Sequence, residues 1–157
     1  MKIVSWNCAS KFREKYTSII EENADIYVIC ECENPAEAKV KNYVEFAGEN
    51  YFWTGNIHWK GLGIFAKDNE GNAKDQTNLN KKLNNNGLFS AYHDLTNEKQ
   101  GKETQSTFYQ SRHLDQLYHI DYVYTGKDRV ISFQIGDAEK WIELSDHMPI
   151  IFEIKVE

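Results

Sequence analysis

The chain has 157 residues, 41% of them hydrophobic and 13% aromatic, with a formal net charge of −6. That is room for one domain with a core of its own. It argues against holding nucleic acid by bulk positive charge, because such binders neutralise many phosphates with Lys and Arg. No apolar run reaches membrane-spanning length, and the start Met1–Asn7 lacks the long apolar stretch and cleavage site of a signal peptide, so a cytoplasmic protein is expected.

In chain order, residues 2–7 read as a buried strand. Residues 12–22 read as a helix, with Phe12, Tyr16, Ile19 and Ile20 at helical spacing. Asn23-Ala24-Asp25 breaks it, and Ile26–Cys30 is a continuous apolar run. Strand, helix, strand with short connections implies two parallel strands ending at one edge, which brings Asn7 and Glu31 together where open α/β sheets place their ligands. Asn34-Pro35 opens a short helix. Tyr43–Phe46, Tyr51–Thr54 and Leu62–Lys67 read as strands, the last two flanking a loop at Asn56–Gly61.

From 68 to 86 the composition turns almost wholly polar, a junction within a single domain spanning 1–157. Leu79 and Leu83, four apart, suggest one thin helix there. Beyond it, Phe89–Tyr92, Thr107–Tyr109, Ile120–Tyr124, Val130–Gln134 and Pro149–Val156 read as strands, mostly antiparallel candidates.

Cys8, Cys30 and Cys32 lack a Cys-x-x-Cys pair or a His at ligand spacing, so structural thiols are expected ahead of a zinc site. Trp53, Trp59 and Trp141 read as core or loop packing, and His58, His113 and His119 as surface or half-buried residues. Asp146 and His147 stand side by side before the last strand. Such a pair can act on one phosphate, the His moving a proton while the Asp stays ionised and orients a water or cation. Taken singly, each candidate has a bland reading: Asn7 and Glu31 as strand ends, Asp121 pairing with a lysine, Asp146-His147 as a turn.

Jointly they say more. Lys2-Ile-Val-Ser-Trp-Asn7, Asp25-Ile-Tyr-Val-Ile-Cys-Glu31, Lys60-Gly-Leu-Gly-Ile-Phe65, His119-Ile-Asp-Tyr122 and Ser145-Asp-His-Met-Pro149 stand in one order. In that order the sequence resembles the endonuclease/exonuclease/phosphatase superfamily of Mg²⁺-dependent phosphoesterases, over about two-thirds of the chain. The resemblance implies an α/β fold, a shortened four-layer α-β-β-α sandwich. It implies Asn7 and Glu31 at a Mg²⁺ (or Mn²⁺), with Asp146 near the metal or its waters. It implies His147 at the scissile phosphate and Asp121 setting its tautomer, for hydrolysis of nucleic acid or another phosphoester by water.

Three departures accompany the resemblance. Cys30 stands where the family usually has Gln, Ala9 where it often has an acid or amide, and no Gly-Asp-Phe-Asn occurs anywhere. In the family that tetrapeptide orients the attacking water and grips the phosphate. An internal deletion near Asp68–Lys74 accounts for its loss, with Asp68, Asp75 and His93 flanking the gap. Losing one positioned acid or base costs about 10²–10⁴ in rate. The expectation is therefore a phosphodiesterase of nuclease type, of impaired activity, or else an inactive relative that binds metal, phosphate or a protein partner. Removal of central strands would leave a sheet edge for homodimer formation.

Overall fold

The computed structural model describes residues 1–66, 88–98, 102–126 and 128–156. The elements are β1 (Lys2–Asn7), α1 (Phe12–Ile20), β2 (Ile26–Cys32), α2 (Lys41–Ala47), β3 (Tyr51–Ile57) and β4 (Lys60–Ala66). Then follow β5 (Leu88–Ser90), α3 (Ala91–Thr96), β6 (Phe108–Tyr109), β7 (Leu117–Tyr118), β8 (Tyr124–Gly126), β9 (Val130–Ile135), α4 (Ala138–Trp141) and β10 (Ile150–Ile154). Among the described residues, six strands form one sheet in the order β3-β4-β2-β1-β10-β9. β1 and β2 are parallel and the other pairs antiparallel, as the strand–helix–strand opening requires.

One face of this sheet is covered by α1, α2 and α4. Phe12 of α1 meets Tyr43 and Phe46 of α2 at 5.9 and 6.0 Å and Phe65 of β4 at 5.7 Å, while Trp6 of β1 meets Trp141 of α4 at 5.4 Å. These aromatic rings, all but Phe46 fully buried, make this the principal core. Two small ribbons, β5–β8 and β6–β7, lie toward the β9 and β10 side. Tyr92 of α3 packs on Phe133 of β9, and Met148 N–H donates to Thr107 O.

Several expected elements differ. Residues 43–46 are helical, because Tyr43, Phe46 and Ala47 at i, i+3, i+4 turn one face onto Phe12 and Phe65. The helix expected over 12–22 ends at Ile20, where Asn23 goes left-handed at φ 51°. The strand expected over 89–92 is short, since α3 starts at Ala91 and Ala91 N–H goes to Val123 O. Most of the strand expected over 120–124 has no ladder: Ile120 and Asp121 N–H both donate to Thr107 Oγ1 instead. Helix α4 was not foreseen, although Asp137 signals it by accepting from Glu139 N–H as N-cap. The polar junction, the Leu79–Leu83 helix and the place of the inferred deletion, with Asp68 and Asp75, lie outside the described residues. Among those described, no helix is long and apolar enough to cross a membrane.

Candidate active site

The C-terminal ends of β1 and β2 finish side by side, with Asn7 paired to Cys30. At that point β2 bulges. Cys30 pairs with Leu62 and Cys32 with Gly61, leaving Glu31 between them at φ 60°. Burial alternates through Tyr27 and Ile29 and then skips to Cys32. Glu31 is thus spared the core position that strict alternation would give it, the kind of redirection that bulges beside active sites perform. A left-handed non-glycine backbone costs about 1–2 kcal/mol, and here that strain frees a carboxylate.

The other end of the chain is clipped to the same edge. β10 runs antiparallel to β1 with Ser5 opposite Ile150, so residues 145–149 pass the end of β1. The fully buried Ser145 donates from Oγ to Asn7 O at 2.7 Å and accepts His147 N–H at 3.0 Å. Trp6 Nε1–H donates to His147 O at 3.0 Å. Three bonds therefore fix the backbone of His147 against the residues that end β1.

His147 Nδ1 lies 2.8 Å from Asp121 Oδ2, which makes Nδ1 the donor and leaves Nε2 outside this bond. Burial alone would lower the imidazole's pKa. The Asp121 hydrogen bond and charge, and then the charges of Asp146 and Glu31, outweigh it and raise His147 above the ordinary value. Asp121 and Glu31 in turn act together to raise the Cys30 thiol, after burial. Glu31, Asp121, Asp146 and His147 thus share one electrostatic neighbourhood. Asp121 is held by its own N–H on Thr107 Oγ1 at 3.0 Å, and the Phe108 ring stands 4.6 Å from the imidazole.

Asn7 Oδ1 accepts from Ala9 N–H at 3.1 Å, so this amide does the local turn work of the bland reading, while its oxygen keeps a second lone pair. Glu31 Oε2 receives the Lys60 ammonium at 3.2 Å and Ser10 Oγ at 3.5 Å. A cation already sits on this carboxylate, and the neighbouring donors are hard oxygens. One carboxylate and one amide are donors of the kind that fit Mg²⁺, which keeps most of its waters. No cluster of three His, Cys, Asp or Glu able to hold a metal occurs among the described residues. The thiols stay protonated: burial raises Cys8 strongly and pushes Cys32 up to about 12, and Cys8 Sγ donates to Cys30 O. They are structural.

The sequence reading gave no role to Ser145, Thr107 or Lys60. Only their partners, distant in sequence, mark them. His93, a flanking candidate, bonds Ser90 Oγ and Glu103 Oε1 at 2.9 and 3.1 Å. Tyr122 OH also donates to Glu103 and to His119 O, so this network braces the segment that carries Asp121. A cavity of about 540 Å³ between β4 and α2 is lined by Tyr27, Phe46 and Phe65. It opens beside Ala66, where the described residues stop, and holds none of the site groups.

No family model and no curated protein matches the sequence. Solved structures do. A 3′-5′ exonuclease from Neisseria meningitidis, NExo, superposes with a TM-score of 0.72 at 12% identity, over 99% of this chain and 100% of that one. A structure of NExo from Neisseria as a 3′ phosphatase bound to product DNA hairpin gives 0.72 at 11%, with the same coverage. Truncated TDP2 from Caenorhabditis elegans gives 0.61 at 10%, over 97% of each chain. The likeness shows a mixed α/β fold of the endonuclease/exonuclease/phosphatase type.

Proposed function

We propose that this chain is a divalent-cation-assisted phosphoesterase of nuclease type, hydrolysing phosphodiester bonds in nucleic acid. The observation that carries the reading is His147, bound to Asp121 at 2.8 Å and raised in pKa partly by Glu31 from the opposite end of the chain. The likeness to an exonuclease, a 3′ phosphatase and TDP2 supports the same reaction class.

Asn7 and Glu31 would hold Mg²⁺ or Mn²⁺, and Lys60 would compete with the ion for the Glu31 carboxylate. Such an ion, when bound, neutralises phosphoryl charge and polarises the oxygen it touches. His147, its pKa raised by the carboxylates around it, donates in its protonated form from Nε2 to a phosphoryl oxygen and stabilises the charge that grows there. Asp121 fixes its tautomer. Asp146 orients water for in-line attack; a new P–O bond forms as the P–O bond to the leaving group breaks, the water's proton passing to solvent and the leaving oxygen taking one from it. Without a Gly-Asp-Phe-Asn element the water is less well held, and turnover about 10²–10⁴ below that of a complete site is expected.

The test is incubation with Mg²⁺ or Mn²⁺ and plasmid, single-stranded DNA or RNA. EDTA-sensitive hydrolysis lost in His147→Ala supports the proposal, and no turnover by folded protein overturns it. A second reading, a non-catalytic phosphate binder, is favoured by the missing tetrapeptide. It predicts phosphate-dependent thermal stabilisation without turnover. Three free thiols suit a reducing compartment. Pairing of two copies along outer strand β3 or β9 is read by sedimentation, where a monomer at high concentration removes it.

A further inference from the structure

Of the four tryptophans, Trp6 and Trp141 are 1% exposed and Trp53 is half-buried with its N–H on Cys32 O. Trp59 is different: 53% of it is exposed, on the turn joining β3 to β4. That turn is tied to the segment following β2. His58 O accepts Asn34 N–H at 2.7 Å, and the His58 ring stands edge-on to the indole at 4.7 Å and 89°. The next residue is Lys60, whose ammonium lies on Glu31. On the other flank, Tyr118 is 50% exposed, packed on Phe108, which in turn packs on His147. Trp59 is thus next in sequence to the lysine on Glu31, and Tyr118 is linked through Phe108 to His147.

We infer that Trp59 is a stacking platform for a nucleobase next to the scissile phosphate, so that the site takes single-stranded nucleic acid, with Tyr118 serving the base on the other side. This rests on the phosphoesterase reading and adds the substrate class. Charge favours this occupant. At −6 the chain cannot gain its affinity by neutralising many phosphates, so stacking has to supply it, and a shallow salt dependence follows. An anionic membrane surface would instead call for a cluster of Lys and Arg beside the apolar residue, and the turn carries Lys60 alone, already on Glu31. A base can be splayed onto an indole only where the strand is unpaired, which disfavours an intact duplex.

The experiment is a cycle on wild type, Trp59→Ala and Trp59→Phe with two single-stranded oligonucleotides, one normal and one with abasic spacers flanking the cleaved bond. Trp59→Ala raises KM for the normal strand by roughly 5- to 100-fold with kcat little changed, and Trp59→Phe restores most of it. On the abasic strand the substitution has no further effect. Equal effects on both strands, or none on the normal one, overturn the inference. In parallel, oligo(dT) in EDTA quenches wild-type tryptophan fluorescence and leaves Trp59→Phe unchanged. Quenching without any turnover keeps the base platform and removes the enzyme. Turnover without Trp59 dependence does the reverse. Quenching by phosphatidylserine vesicles and not by oligo(dT) assigns the residue to a lipid surface and overturns the inference.

Discussion

Asp121→Asn removes the charge that faces His147 while preserving shape. In the native site the pair is 2.8 Å apart, with the imidazole side chain 15% and the carboxylate 30% exposed. A hydrogen bond to a charged group contributes about 1.5–3 kcal/mol. Partial exposure puts the loss toward the lower end, so kcat/KM on single-stranded DNA should fall about 10- to 100-fold. The sign of the pH effect follows from His147 acting as its protonated form. Its pKa is raised, so activity falls with rising pH only as pH passes a value above that of an ordinary imidazole. Asparagine withdraws the largest raising influence while burial still lowers the pKa, and the alkaline limb moves to lower pH. The assay is a pH profile of kcat/KM for both proteins with matched circular dichroism. An unmoved limb together with an unchanged rate would refute the role given to this pair.

Ser145→Ala strips the partner from Asn7 O and His147 N–H and should cost about 1–3 kcal/mol in urea unfolding, a change within 0.5 kcal/mol of zero counting against the clip. Thr107→Val leaves the N–H groups of Ile120 and Asp121 without their shared acceptor, so about 2 kcal/mol of stability and much of the turnover should be lost together. Unfolding and hydrolysis measured on one preparation check that coupling, and loss of either without the other contradicts it. Lys60→Ala frees Glu31 of a partly exposed ion pair that contributes about 0–1 kcal/mol, so Mn²⁺ binding by calorimetry should tighten by up to about fivefold. Weaker binding would mean that Lys60 helps build the ion site and does not compete for it.

The opening strand–helix–strand was legible because its signals are local: an apolar run, helical spacing in α1, a second apolar run. From it the meeting of Asn7 with the end of β2 follows, and the order of motifs added Asp121, Asp146 and His147. What could not be read depends on contacts far apart in sequence. The Glu31 bulge exists because Cys32, one residue late, takes the buried position against Gly63, whose added Cβ would come within 2.7 Å of the Cys32 sulfur. Residues 120–123 have strand composition, yet their N–H groups belong to Thr107, a partner no periodicity announces. Tyr43–Phe46 has strand-like residues on a helix, because aromatic contacts with two neighbours, Phe12 and Phe65, decide the matter over propensity.

The most direct measurement is Mn²⁺ relaxation broadening of the five histidine imidazole resonances, in wild type and in Glu31→Gln. If residues from the two ends of the chain serve one ion and one phosphate, the His147 signals broaden first at low Mn²⁺, and the Gln variant abolishes this. Broadening that begins at His58, His93, His113 or His119, or that survives the loss of the Glu31 carboxylate, would contradict it.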